Sequence, residues 1–271
     1  MDSPMNTTTR ELRPAVRFSD LKWLAQSAAH YHHAVHAPRK EPSAAMALGT
    51  LVARALFGKG PSGSEEIAVW KGDRRAGKEW EAFKAANSGA LIAKQDEMDK
   101  AIAIAESIGR TPAAAALLDG AEYEIPLRWR VAGRECATGG IDIVRPDGVV
   151  ELKTTATSVS PLRFPWFARR MYYHAQLAWY RSGLEAAGRA VGGKHRIIAV
   201  ETSPPFVCQV FTLTEASLVE GEKLWRGWFE TLMTCEEANH WPAYCETELP
   251  FDVVEDGTRV VMSDGEMLEV G

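Results

Sequence analysis

Asp142, Glu151 and Lys153 stand within GGIDIVRPDGVVELK, Gly139 to Lys153, two carboxylates and an ammonium on what reads as one β-hairpin. Ile141-Asp142-Ile143-Val144 has the composition of a strand, and Arg145-Pro146-Asp147-Gly148 places Pro and Gly where a tight turn needs them. Val149-Val150-Glu151-Leu152-Lys153 reads as the returning strand. If Val144 pairs with Val149, Asp142 falls opposite Glu151, and a three-residue loop would shift that pairing by one position. Side chains alternate along a strand, so Glu151 and Lys153 share one face while Val150 and Leu152 point to the other.

An acidic pair beside an ammonium has the makings of a metal-dependent phosphodiesterase site. Hard divalent cations such as Mg2+ or Mn2+ take carboxylate oxygens, lower the pKa of water and neutralise charge on a phosphoryl oxygen. Asp142 and Glu151 fit the ligand role. Lys153, a compact and mobile point charge, fits the task of orienting the attacking water or offsetting charge in the transition state. The competing reading is an exposed hairpin with solvated charges, because an Asp…Glu-x-Lys spacing is short and common.

The elements that must position these residues are legible around them. Phe167 to Gly183, FARRMYYHAQLAWYRSG, is helical in pattern, with Tyr173, Gln176 and Tyr180 at three- and four-residue spacing on one face. Helices are expected near 18 to 36, 43 to 57, 75 to 87 and 94 to 118, with a Gly-rich loop at 58 to 64. Strands are expected near 122 to 130, 139 to 145, 148 to 155, 194 to 203 and 206 to 213, with helices at about 165 to 187 and 214 to 238. Thr214 caps the last of these, and Leu218, Leu224 and Trp228 give it an apolar side. The sum is a mixed α/β core behind a helical front half. Residues 1 to 17 read as a flexible terminus, and 246 to 271 as an acidic tail with two short strands around turns.

Taken together, GGID, VVELKTT and YYHAQLAWY resemble the PD-(D/E)XK nuclease superfamily with its QxxxY signature, and within it the RecE-like phage exonucleases related to λ exonuclease. FSDLKWLAQSAAHYHHAV, AMALGTLVARALF and the closing Trp241-Pro242-Ala243-Tyr244 are similar to further segments of that family. The resemblance implies a restriction-endonuclease-like core, a central mixed sheet flanked by helices. It would form a single nuclease domain over 18 to 245 with its catalytic part at about 120 to 240. It assigns Asp142, Glu151, Lys153, Gln176 and Tyr180 to catalysis, and Asp142, Glu151, the Leu152 backbone carbonyl and Glu124 to a Mg2+ or Mn2+ site. It also implies digestion of duplex DNA from 5′ ends for phage-type recombination, a ring-shaped trimer or tetramer, and a single-strand annealing protein as partner. The chain departs from the pattern at Ala53, where the family carries a metal-binding histidine after Gly49-Thr50-Leu51-Val52. An alanine offers no ligand, so a decayed, DNA-binding protein stands beside the enzyme reading. A PD-(D/E)XK endonuclease is the rival on the same fold.

Composition narrows the setting. The net charge of -5 excludes a protein that coats nucleic acid, so positive potential must be local. Arg163, Arg169, Arg170 and Arg181, interleaved with Phe164, Trp166 and Phe167, supply it around the QxxxY helix, and His174 joins Arg163, Arg169 and Arg170 as a candidate DNA contact. Trp166 could equally anchor the helix start in the core. His32 and His36 have the spacing of a metal pair but also that of a polar helix face. Cys136, Cys208, Cys235 and Cys245 lack a CxxC pair, as reduced structural thiols would. With no long apolar run and no secretory signal, the expected location is cytoplasmic, away from membranes.

Overall fold

Why the chain builds a sheet around its acidic hairpin is visible in the order of elements. The computed structural model describes residues 14–38, 41–58, 66–189, 191–245 and 247–250, and three strands at 251–254, 257–261 and 267–270. Most of the N-terminal segment and of the Gly-rich stretch over 58 to 64 lies outside those residues. The front half runs through α1 (Phe18–Leu21), a 3-10 turn (Lys22–Ala25), α2 (Ala28–His36), α3 (Ala44–Phe57), β1 (Ile67–Trp70), α4 (Lys78–Ala86), β2 (Leu91–Lys94), α5 (Gln95–Arg110) and α6 (Pro112–Leu118). The back half runs through β3 (Glu122–Val131), β4 (Arg134–Arg145), β5 (Gly148–Thr155), α7 (Phe164–Arg170), α8 (Tyr173–Ala186), β6 (Arg196–Glu201), β7 (Cys208–Thr212) and α9 (Glu215–Ala238). β8 (Phe251–Val254), β9 (Gly257–Val261) and β10 (Met267–Val270) form a separate antiparallel sheet, three strands where the sequence suggested two.

The central sheet has the order β3-β4-β5-β6-β7. It is mixed: β5 and β6 are parallel and the other neighbours antiparallel. Parallel neighbours need a crossover, which α7 and α8 provide. One face carries Val144, Val149, Ile197 and Ala199 into a core with Leu177, Trp179 and Leu184 of α8 and Trp225, Phe229 and Leu232 of α9. The other carries Ile143, Val150, Ile198 and Val200 against Leu51 and Val52 of α3 and Ile104 and Ile108 of α5. Two buried faces explain why β5 and β6 read as nearly continuous apolar runs rather than as alternation.

The hairpin forms with the expected register, Val144 opposite Val149 and Arg145 opposite Gly148. Gly148 has φ +154, and a side chain there would run into the Lys194 backbone, so the turn tolerates only glycine. The Thr214 hydroxyl caps α9 by accepting from the Ser217 N–H at 3.2 Å.

Three expected helices are broken. The stretch over 18 to 36 divides at the Gln26-Ser27 boundary, where the Ser27 side chain caps a new start by accepting from the His30 N–H. That over 94 to 118 divides at Thr111 before Pro112, which cannot continue a helix. That over 165 to 187 divides at Tyr172, which takes φ +60. No single helix among the described residues is long and apolar enough to cross a membrane.

Candidate active site

The carboxylates meet because β4 and β5 separate just beyond their paired ends. Backbone pairing is regular from Arg145/Gly148 to Ile143/Val150 and then stops. At the next position the Leu152 N–H turns to the side chain of Asp142, donating to Oδ2 at 2.7 Å in place of a ladder bond. A strand residue points its N–H and C=O to the same neighbour, so the Leu152 carbonyl faces the same opening.

β3 adds a third carboxylate. Its register runs Tyr123 to Ile143 and Ile125 to Ile141, which leaves Glu124 opposite Asp142. Between Ile125/Ile141 and Leu127/Thr138 the register shifts, the bulge that Gly139-Gly140 permits in β4. Glu124 is buried and sits at φ +52, a left-handed conformation that a non-glycine residue avoids by roughly 1–2 kcal/mol. Its carboxylate lies over Gly140, where a Cβ would fall 2.5 Å from Glu124 Oε2. The second glycine of GGID therefore leaves room for an acid on the neighbouring strand. Neither this backbone state nor the bulge is readable from spacing.

Glu151 is 4 % exposed, and one of its two oxygens is held by partners from two elements. Its Oε1 accepts from Lys153 Nζ at 2.6 Å and from Gln176 Nε2 at 2.8 Å. Gln176 Nε2 also donates to the Tyr180 hydroxyl at 2.7 Å, so the amide and phenol expected on one helix face form a chain ending on the carboxylate. Tyr173, on the same face, places its ring 4.7 Å from Lys153 Nζ. Glu151 Oε2 is buried with no hydrogen-bond partner.

The electrostatics follow from crowding three acids beside one base. Burial raises the Asp142 carboxyl well above its ordinary value, and Glu151 adds to the rise, while Lys153 and the Leu152 N–H oppose it. Burial pulls Lys153 down, but Glu151 and Asp142 outweigh it and hold the ammonium above its usual range. Tyr180 is raised well above the usual phenol value by burial, then by Glu151 and Asp142, which keeps its hydroxyl protonated. Among the described residues no three His, Cys, Asp or Glu side chains already stand as a ligand set. The donors nonetheless suit a hard divalent cation. All are oxygens, and the unpartnered Glu151 Oε2 is a buried acceptor whose cost a cation would remove.

Lys22, on the 3-10 turn, was not legible as part of this site. It is partly buried, and its ammonium is lowered first by burial and then by the charge of Lys153, with Asp20 opposing. Its backbone N–H caps α1 by donating to the Phe18 and Asp20 carbonyls, while among the described residues its ammonium has no hydrogen bond or ion pair. Its only sequence signal is a lone cation among the apolar residues of FSDLKWL.

Other expected site residues fall elsewhere. Arg163, Arg169 and Arg170 are exposed on and before α7, a helix distinct from the one that carries Gln176. His174 is half-buried, lowered by burial and influenced by Glu220 and Arg169 rather than by the carboxylates. Arg181 pairs with Glu222 at 2.7 Å and lies near Glu185 and Glu215, so it ties α8 to α9. Ala53 is buried on α3, one turn after Gly49, where a Cβ would stand 3.4 Å from Thr154 of β5. His36 Nδ1 is within 2.7 Å of the His32 carbonyl, and the His32 ring packs 4.8 Å from Trp241. Trp241 stacks on Tyr31, and the Ala29 N–H donates to the Pro242 carbonyl, so the closing WPxY element fastens the chain to α2.

Comparison with known proteins agrees with this geometry. A family profile described as a PDDEXK-like domain of unknown function (DUF3799) matches residues 17–248. The crystal structure of a putative exonuclease from Eubacterium rectale superposes with a TM-score of 0.60 at 15% identity, over 86% of this chain and 85% of that one, and so shares the fold. No curated protein matches the chain. The five-stranded mixed sheet, the helices on both faces and the profile match over most of the length place the chain in the DUF3799 family of PDDEXK-like domains, within the PD-(D/E)XK nuclease superfamily.

Proposed function

We propose that the protein is a divalent-metal-dependent exodeoxyribonuclease that hydrolyses linear duplex DNA, in the manner of the RecE-like enzymes it resembles, from 5′ ends. The observation that carries the reading is the placement of Glu124, Asp142 and Glu151 on three adjacent strands at a fork in the sheet, where Asp142 feels the charge of both other acids and Lys153 bonds to Glu151. Asp142, Glu151, Glu124 and the Leu152 carbonyl would hold Mg2+ or Mn2+. Such a cation supplies Lewis acidity toward a phosphoryl oxygen and toward water.

The chain's own groups do the rest. Lys153 holds the attacking water or offsets the charge that grows on the phosphoryl oxygens as water oxygen bonds to phosphorus and the ester oxygen leaves. Lys22 adds a second cation for the phosphate. Gln176 fixes Glu151 in one orientation, and Tyr180 fixes Gln176, which is the support a ligand carboxylate needs. By the same resemblance, a ring of three or four copies would enclose the DNA, and an annealing protein would receive the 3′ strand.

The test is incubation with 5′-labelled linear duplex and with closed circular DNA, each with and without Mg2+. Label should be released from the linear substrate only, and only with metal. Cleavage of the circle would make the enzyme an endonuclease. No cleavage, together with no Mn2+ binding, would mean a decayed site.

Ala53 bears on the same question. Ala53→His should lower the Mg2+ or Mn2+ concentration for half-maximal cleavage, because an imidazole would replace water as a ligand. A metal dependence identical to that of the parent would place position 53 outside the coordination sphere.

A further inference from the structure

The loop after β5 and helix α7 present an exposed surface that the hydrolytic site does not use. Leu162 is 86 % exposed and Trp166 is 68 % exposed, large apolar side chains that a core would normally claim. They alternate with cations. Leu162 and Arg163, Trp166, then Arg169 and Arg170 follow one another at three- and four-residue spacing and so share a side, while Phe164 and Phe167 point inward at the opposite one. The mount is firm: Phe164 is fully buried against Phe211, and the Val159 N–H donates to Glu201 Oε1 at 3.0 Å.

Charge within this segment is of one sign, with Glu220 of α9 the acid that acts on His174 beside Arg169. No Asp or Glu occurs between Glu151 and Glu185, although the whole chain carries a net charge of -5. Among the described residues Arg163, Arg169 and Arg170 form no ion pair. The inward side of the same helix, opposite to this face, adjoins the chemistry. Phe167 stands edge-on to Tyr173 at 6.2 Å, and Tyr173 lies under Lys153.

We propose that this face binds single-stranded DNA, with an unpaired base stacked on Trp166 and the flanking phosphates held by Arg163, Arg169 and Arg170. Aromatic faces bind bases only when these are unstacked from a duplex, and arginines hold the backbone of either form. The substrate class this implies is a DNA end carrying a single-stranded extension. The proposal rests on the nuclease reading for the use of the strand, but not for its binding.

The experiment measures fluorescence anisotropy of a labelled oligothymidylate of about 12 nucleotides, an abasic strand of the same length and a blunt duplex, all in EDTA so that no cleavage occurs. Trp166→Ala should weaken oligothymidylate binding about five- to a hundredfold, the worth of one stacked base, and Trp166→Phe should retain most of it. The abasic strand should bind the parent as weakly as oligothymidylate binds Trp166→Ala, with no further loss when both changes are combined. Arg169→Ala with Arg170→Ala should weaken both strands and flatten the salt dependence by up to about 0.7 log-log units per lost contact.

Unchanged oligothymidylate binding by Trp166→Ala would overturn the proposal, as would an equal loss on the blunt duplex. A change in sedimentation with strand binding intact would instead make this face a contact between copies, which also overturns it. Because no cleavage enters the assay, an inactive hydrolytic site would leave the result unaffected.

Discussion

Glu151→Ala and Lys153→Ala should each lower the cleavage rate at saturating DNA by at least about a hundredfold, the usual consequence of removing one group that meets charge in the transition state. The two variants should differ in what they leave unpaired. Glu151 Oε1 receives Lys153 and Gln176, so its loss leaves an ammonium and an amide without their acceptor. Lys153 is the cation closest to a crowd of carboxylates, and its loss leaves Asp142 and Glu151 facing one another in a buried place. Breaking one side of such a pair costs about 3–5 kcal/mol.

The carboxylates can relieve part of that cost by keeping a proton, which sets the direction with pH. Without the ammonium the folded Asp142 carboxyl, already raised by burial, rises further, so the Lys153→Ala protein should be nearest the parent in Tm at low pH and fall away as pH rises. DNA binding in EDTA should survive in both variants, which separates a chemical loss from an unfolded chain. Parent-like cleavage by either variant would remove these residues from the reaction.

What made these residues findable was local. The pairing of Val144 with Val149 is dictated by a two-residue turn, and the turn by Pro146 and Gly148, so placing Asp142 near Glu151 needed no tertiary information. The chain from Tyr180 through Gln176 to Glu151 was legible for a similar reason: four-residue spacing on a helix is a fixed geometry.

What could not be read depends on contacts between elements distant in sequence. Glu124 was named through the family resemblance alone, because it joins the site through a left-handed backbone angle and the space above Gly140, neither of which leaves a periodic signal. Tyr172 breaks the helix in FARRMYY without Gly or Pro, so Arg169 and Arg170 lie on α7 and not on the helix of Gln176, although the pattern from Phe167 to Gly183 reads as continuous. Arg181 looked like its basic neighbours until α9 supplied Glu222. β1 and β2 pair in parallel across the intervening α4, and each is only four residues long, too short for alternation to show.

Asp142→Asn should inactivate the protein and, without metal, make it more stable. In the folded chain the Asp142 carboxyl is raised by burial and by Glu151, whereas in the unfolded chain it has its ordinary value. A raised folded pKa means that the native state binds the proton more tightly. The associated stability is fully present below the unfolded pKa and is lost as pH rises through the folded one. Ionising Asp142 in the folded chain is therefore a burden that Lys153 and the Leu152 N–H offset in part and that a bound metal would offset further. Asparagine keeps an oxygen to accept from the Leu152 N–H, a bond of 2.7 Å in the parent, and carries no charge. The Tm of Asp142→Asn in EDTA should exceed the parent's at pH 7 to 8, and the difference should shrink toward pH 4. Mn2+ should reverse the order. A ligand at a hundredfold excess over its Kd stabilises by about 2.7 kcal/mol, and the parent should gain this while the variant gains little. A variant less stable than the parent at pH 7 to 8 in EDTA would mean that Asp142 serves the fold rather than the site, and the metal-binding assignment of Asp142 would fall with it.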